Sequence, residues 1–299
     1  MYLHRIFIIV TFLLIPSLHV NATKLQNLQK ELTSLANQKK AQIGIAVIIN
    51  SKDTIKVNNE YRYPLMSVYK FHQSLAIAHL MEERHTALDS MLFISKKELL
   101  ENTYSPLRDT YPNTDLTLTI RELLQYTLLL SDNNACDILF HHLLEVSQTN
   151  KYFHSLGIKD IAITATEEQM RKQPNLCYSN WSSPLASVKL LELLLNNKLI
   201  NGDYKDFIIH TMLQCKTGPN RLPGFDYPEG VKIGHKTGTG GKNNKGEIIG
   251  VNDIGFILLP DGQHYTIAVL IKNSKESLKD TEEIIATISN IVYSWVSQK

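Results

Sequence analysis

The chain has 299 residues, 31 Lys and Arg against 29 Asp and Glu, with 43% of positions hydrophobic and 20% charged. Disorder needs few apolar residues and a large net charge, and nucleic-acid binding usually shows as a strong basic excess; both are absent. Its 14 Gly and 10 Pro follow no collagen-like period, and the length suits one large domain or two interleaved ones.

Arg5 precedes an apolar stretch over residues 6–15 that weakens toward Val20, and Val20-Asn21-Ala22 places small or short residues where a signal peptidase reads. Pro16, Ser17 and His19 interrupt the stretch before it reaches the ~20 apolar residues of a membrane span. Residues 1–22 are therefore expected to be a cleaved leader, and the product to be secreted or periplasmic with no membrane anchor.

A helix is expected over residues 25–39, followed by a β-hairpin with arms at 42–50 and 53–57. After Pro64, the residues Phe71, Leu75, Ala78 and Leu80 give a helical pattern. Thr119-x-x-Glu122 is a capping box opening a helix over 120–130. Ser131-Asp132-Asn133 then reads as an interhelical turn built of cap residues, with the next helix starting near Asn134. Residues 157–182 carry little periodicity, and unpatterned segments of that length in a compact domain are often functional. Ser183-Pro184 supplies an N-cap and a first-turn proline for a helix over 185–196, and another helix covers 204–215. Strands follow at 231–235, 248–259 and 264–271, with Pro260-Asp261-Gly262 as a tight turn, before an amphipathic helix at about 277–296.

The β-rich ends thus enclose a helical middle. The expected fold is α/β in the α+β sense: a discontinuous sheet domain from residues 23–66 and 213–299, and an all-α domain over 67–212. There is no internal repeat.

Cys136, Cys177 and Cys215 are too few and too scattered for a disulfide framework. Cys136 lies among Ala135, Ile138, Leu139 and Phe140 and reads as a buried thiol, with a Cys/His nucleophile pair as the alternative. CxxC, HExxH and HxH spacings are missing, and adjacent His141 and His142 cannot converge on one ion without other ligands. No metal or cofactor is expected.

Three short motifs carry the chemistry. Ser67-Val68-Tyr69-Lys70 is the only S-x-x-K in the chain, and in a helix the side chains of Ser67 and Lys70 lie ~60° apart around the axis, within reach of each other. A helix N-terminus also favours developing negative charge on the serine. Ser131-Asp132-Asn133 is the second motif. Lys-Thr-Gly occurs twice: Lys216-Thr217-Gly218 reads as a helix exit, whereas Lys236-Thr237-Gly238-Thr239 ends a strand, whose edge can offer side chains and backbone N–H groups to a substrate. The order S-x-x-K, S-D-N, K-T-G is the set shared by class A β-lactamases and penicillin-binding proteins.

The chain resembles a class A serine β-lactamase over nearly its whole length after the leader. The stretches YPLMSVYKFHQ, TYSPLRDTYP, SDNNACDILF and GHKTGTG look closest to the branch containing chromosomal cephalosporinases of anaerobes. The resemblance implies a five-stranded antiparallel sheet with flanking helices set against an all-α domain, with the site at their junction. It also implies a Ser67 acyl-enzyme freed by water that Glu167 activates, with Met170 and Asn180-Trp181 later in the same loop; Glu168, an exposed loop acid, is the alternative. Lys70 is expected to take the Ser67 proton if burial and a second cation such as Lys236 hold its amine partly neutral, Glu167 acting through water being the other acylation base in question.

Backbone N–H groups of Ser67 and Thr239 would form the oxyanion hole, and Ser131 would pass a proton to the departing nitrogen. Asn133 would bind the acylamino side chain; Lys236, Thr237, Thr239 and Arg221 would receive the substrate carboxylate. Tyr104 matches the aromatic gate at the mouth, with Tyr111 a simpler surface residue. Where the family pattern has an asparagine four residues after the glutamate and an arginine–aspartate clamp at the loop's neck, this chain has Arg171, Ala165 and Asn180, which suggests a different loop path and a larger mouth favouring cephalosporins. The expected partner is a small β-lactam acted on by a monomer. The alternatives are a D,D-peptidase of the penicillin-binding type, lacking the deacylating step, and a catalytically silent exported binding module.

Overall fold

Residues 15–298 are described by the computed structural model, with side chains from Thr23 onward; most of the expected leader, residues 1–14, lies outside them. Helix α1 (Ile15–Asn37) starts ten positions before the expected helix and leads into β1 (Gln42–Ile49) and β2 (Asp53–Val57). Asn50 and Ser51, at φ 49° and 56°, close this hairpin in the left-handed conformation that tight hairpin turns require.

A short β3 (Tyr63–Pro64) and a 3-10 turn over Met66–Val68 open α2 (Tyr69–Glu83). Then come β4 (Met91–Ile94), α3 (Pro106–Thr110), β5 (Leu116–Thr119), α4 (Ile120–Leu129), α5 (Asn133–His142) and α6 (Val146–Ser155). They are followed by β6 (Ile161–Ala162), α7 (Glu167–Lys172), β7 (Trp181–Ser182), α8 (Pro184–Leu195) and α9 (Gly202–Leu213). The chain closes with β8 (Lys232–Thr239), β9 (Ile248–Leu258), β10 (His264–Ser274) and α10 (Leu278–Ser297).

The two ends of the chain build one antiparallel sheet in the order β2-β1-β10-β9-β8. Period-two alternation divides its side chains between two cores. Ile43, Ile45 and Val47 join Leu28 and Leu32 of α1 and Ile284, Ile288 and Val292 of α10. Ala46, Ile48, Phe256 and Leu270 join the larger core of the helical region. Helix α8, from the expected all-α segment, lies on this second face against β1 and β10. Helix α2 is buried from Tyr69 to Ala78, including Lys70, His72, Gln73 and Ser74, so it runs through the middle of the helical region.

Two expectations change. β8 continues past His235 through the whole of Lys236-Thr237-Gly238-Thr239, because pairing with β9 persists to Thr239 opposite Val251. Residues 157–182 are not featureless: Thr166 and Gln169 form a capping box that opens α7 at Glu167, followed by a 3-10 turn over Pro174–Tyr178. Among the described residues, no helix is long and apolar enough to cross a membrane.

Candidate active site

Ser67 is held by the sheet as well as by its own helix. The Asn252 side chain of β9 donates to the carbonyls of Pro64 and Leu65 at 2.7 and 3.1 Å, which ties the segment before Ser67 to the sheet. Met66 then takes φ 49°, a costly conformation for a non-glycine residue, immediately before the serine. Gly238 of β8 lies against the same turn: a Cβ there would stand 2.5 Å from the Leu65 carbonyl oxygen and 3.0 Å from the Ser67 nitrogen. Only a glycine lets the strand edge approach the turn before Ser67 this closely.

One turn on, Lys70 is fully buried. Its Nζ lies 3.1 Å from Ser67 Oγ, 3.1 Å from the Ser131 carbonyl, 2.6 Å from Asn133 Oδ1 and 2.7 Å from Glu167 Oε1. Burial is the largest influence and pushes the amine toward neutrality, but the neighbouring groups, the Glu167 carboxylate foremost, together raise the Lys70 pKa above the usual lysine value. The expectation of a partly neutral Lys70 is therefore corrected: at rest it is a cation. Lys236 is the lysine that burial drives down, to about 7, with the charge of Lys70 adding to the effect against a raising influence from Cys215. Its Nζ donates to Ser131 Oγ at 3.0 Å and to the Thr237 carbonyl at 2.9 Å.

Ser131 thus bridges the lysines, its carbonyl bonded to one and its hydroxyl to the other, at φ 61°. That geometry follows from the S-D-N turn, in which Asp132 caps α5 through Ala135 N and also accepts from Ser105 and Leu107 N. The motif is both an interhelical cap and a site element. Asn133 Nδ2 donates to Thr103 Oγ1, which fixes the amide beside Tyr104.

Glu167 lies in the first turn of α7, and Asp137 of α5 accepts from the backbone N–H groups of Glu167 and Glu168 at 2.8 and 2.7 Å. Burial, and next the Glu167 charge, push the Asp137 carboxyl up to about 7 against these bonds. Glu168 instead pairs with Lys172 on the outer side. At the loop's neck Asn180 accepts from Thr164 N and Ala165 N and donates to the Ala165 carbonyl, so one buried neutral amide closes the loop.

Ser67, Ser131, Asn133, Glu167, Thr237, Thr239 and the exposed Tyr104 line one cleft of about 600 Å³, with Arg171 on its wall. Lys70, Lys236 and Arg221 are buried beneath it. Arg221 does not meet the cleft directly. Its guanidinium binds the Gly238 and Asn252 carbonyls and Glu282, and reaches the cleft only through Thr239 Oγ1 at 2.6 Å.

A family model described as the beta-lactamase enzyme family matches residues 27–296. The chain belongs to the beta-lactamase enzyme family. A β-lactamase of Bacteroides uniformis is 40% identical over 92% of this chain and 93% of its own length. The crystal structure of a class A β-lactamase from Bacteroides cellulosilyticus superposes with a TM-score of 0.88 at 42% identity, covering 92% of this chain and 99% of that one. That of the extended-spectrum β-lactamase TLA-1 gives 0.89 at 39%, covering 92% and 100%. The enzyme is a class A serine β-lactamase with the fold of that class.

Some parts of this β-lactamase's site were not foreseen. Asp137 and Asn252 act across the fold, and nothing local in the sequence marks them. Thr217, from the Lys-Thr-Gly read as a helix exit, does follow α9, yet it lines the cleft with its Oγ1 2.5 Å from Thr237 Oγ1. The Thr166-x-x-Gln169 capping box was readable in the sequence and would have placed Glu167 at a helix start.

Proposed function

We propose that the enzyme opens β-lactam rings through a Ser67 acyl-enzyme that water, activated by Glu167, then hydrolyses. The observation that carries this reading is the Lys70 ammonium, shared within 3.1 Å by the Ser67 hydroxyl, Asn133 and the Glu167 carboxylate. Ser67 Oγ attacks the lactam carbonyl carbon. Because Lys70 rests as a cation, it must first hand a proton to Glu167, 2.7 Å away, before it can take the one on Ser67. Glu167 is then the final acceptor in acylation, whether the proton travels through Lys70 or through water.

The N–H groups of Ser67 and Thr239 hold the developing oxyanion; losing one such donor typically costs ~10² to 10³ in rate. Ser131, bonded to Lys236, returns a proton to the ring nitrogen as the C–N bond breaks. Asn133 receives the acylamino group at the cleft wall, beside Tyr104. Thr237 and Thr239 meet the substrate carboxylate, with Lys236 and Arg221 contributing positive charge from below. The proton held by Glu167 replaces the one that Ser131 gave up, so Glu167 is again a carboxylate; in deacylation it takes a proton from the water that attacks the ester carbonyl and returns it to Ser67 Oγ as the ester C–O bond breaks, while Lys70 stabilises the charges.

A carboxylate in contact with Lys70 favours this reading over a D,D-peptidase, which lacks a group to release its acyl-enzyme. The filled reactive positions disfavour a silent binding module. The neutral neck at Ala165 and Asn180 and the open cleft support a preference for cephalosporins, and a relative described as extended-spectrum fits it. We further propose export through the leader over residues 1–22, the sheet and all-α domains divided as expected from the sequence, and action as a monomer.

The test is hydrolysis of a chromogenic cephalosporin by purified protein. Turnover that disappears in Ser67→Ala and exceeds turnover of penicillins supports the proposal. An inert wild type overturns it, and equal or faster penicillin turnover removes the cephalosporin preference.

A further inference from the structure

The cleft carries charge that the proposed chemistry leaves unused. Among the described residues, three charged side chains line it, Glu167, Arg171 and Lys242, and Glu167 is matched by Lys70 beneath it at 2.7 Å. Arg171 is exposed and makes no hydrogen bond or ion pair with any described residue. Its neighbouring acid, Glu168, already holds Lys172 at 2.6 Å, and Lys172 and His141 both act on that carboxylate more strongly than Arg171 does. An uncompensated guanidinium on the wall of a substrate cleft is a standing attraction for an anion.

The place of Arg171 on α7 determines which part of a substrate it meets. Glu167 and Arg171 are four positions apart in this helix, so they lie ~40° apart around its axis and about 6 Å apart along it, on one face. Asn133 and Glu167 stand together at the inner end of that face, since both contact Lys70 Nζ, at 2.6 and 2.7 Å. A lactam joined to Ser67 with its acylamino group at Asn133 therefore directs the substituent on that group along α7, past Glu167 toward Arg171. Its ring carboxylate goes the other way, to Thr237 and Thr239. Lys242 belongs to that far side: it follows β8 and pairs with Ile248 at the start of β9.

We infer that Arg171 is a subsite for a second negative charge, and that the substrate class it selects is β-lactams whose acylamino substituent bears a carboxylate. The inference rests on the Ser67 acyl-enzyme reading and names a substrate class for that same site. A guanidinium offers planar N–H donors that fit a carboxylate in two parallel bonds. It also answers a repulsion: a carboxylate on the substituent enters beside Glu167, whose own charge opposes it, and Arg171 one turn away supplies the opposite sign. Because Arg171 is solvated at rest, a lactam with a neutral substituent strands no buried charge and is still accepted.

The test uses purified enzyme and two penicillins that differ by one carboxylate on the acylamino substituent, carbenicillin and benzylpenicillin. The quantity read is the ratio of their kcat/KM values, which a general loss of fold or of catalysis leaves unchanged. Arg171→Gln should lower the carbenicillin to benzylpenicillin ratio about tenfold, the size of one charge-assisted hydrogen bond, mainly through KM. Arg171→Glu should lower it further, and Arg171→Lys should restore most of it. Added salt should lower the ratio in the wild type and much less in Arg171→Gln, because the contact is exposed to screening. Lys242→Gln, on the opposite wall, should change the ratio by less than about twofold.

A ratio that is the same in the wild type and Arg171→Gln would overturn the inference, as would an equal or larger fall in Lys242→Gln. A wild type that hydrolyses benzylpenicillin and leaves carbenicillin untouched would overturn it while sparing the lactamase reading. A wild type inert toward both penicillins and toward the chromogenic cephalosporin would overturn the two together.

Discussion

Two fully buried lysines stand on either side of Ser131, and their surroundings set them in opposite states. Lys70 touches a carboxylate at 2.7 Å and stays charged; Lys236 touches a hydroxyl and a carbonyl, lies near Lys70 and Arg221, and falls to about 7. Burial is the same in both cases, so burial does not decide whether a buried amine is a base or a cation. The carboxylate supplied by α7 does. In the proposed reaction this separates the side of the site assigned to proton transfer from the side assigned to an anionic substrate.

Replacing each lysine by methionine breaks the comparison most sharply. Lys70→Met removes the group between Ser67 and Glu167, and the acylation rate, read by stopped-flow with a chromogenic cephalosporin, should fall about 10³-fold, within the range of a lost general base. It should also destabilise the fold, because Glu167 is left facing an apolar side chain. Lys236→Met should lower kcat/KM by about 10² for lactams bearing a carboxylate, through loss of the cation beneath Thr237 and Ser131. Its stability should rise, by about 1–4 kcal/mol in chemical denaturation, since a poorly compensated buried cation is replaced by an apolar group of similar volume. Equal stability changes of the same sign in the two variants would contradict the assigned charge states.

The pH dependence follows from the same contrast. Lys236 has an ordinary value of 10.5 and about 7 in the fold, so between those values the unfolded chain holds the extra proton, and this residue makes stability increase with pH across that window. The protonated form that attracts a carboxylate is present below pH 7. The kcat/KM for a carboxylate-bearing cephalosporin should therefore decline as pH rises through about 7, with the limb absent in Lys236→Met.

A smaller effect is expected at the loop's neck. Asn180→Ala removes bonds to Thr164 N, Ala165 N and the Ala165 carbonyl and leaves the N–H groups buried, which should cost about 2 kcal/mol in denaturation and slow deacylation more than acylation. The smallest is Thr119→Ala at the start of α4, far from the chemistry: about 1 kcal/mol of stability lost with turnover unchanged.

The local parts of this arrangement were legible in the sequence. The i, i+3 spacing of Ser67 and Lys70, the capping box at Thr119, the cap and proline at Ser183-Pro184, and the strand carrying Lys236 follow from short-range rules, and the sheet made of both chain ends followed from their β patterns. The parts set by distant contacts were not. The charge of Lys70 depends on which way α7 presents Glu167, and α7 is too short to show an apolar period. Arg221 matched a substrate-facing arginine by position, yet the carbonyls of Gly238 and Asn252 hold it beneath the strand. Thr217 reaches the cleft because α9 packs on β8, a contact that no window of the sequence contains.

The account's central claim is tested most directly by intact-mass analysis of Glu167→Gln after mixing with a cephalosporin. A variant that takes up one covalent adduct, mapped to the Ser67 peptide and persisting long after the wild type has turned its substrate over, is the predicted result. A variant that hydrolyses the drug at the wild-type rate, or that never forms the ester, would contradict the roles given to Glu167 and Ser67.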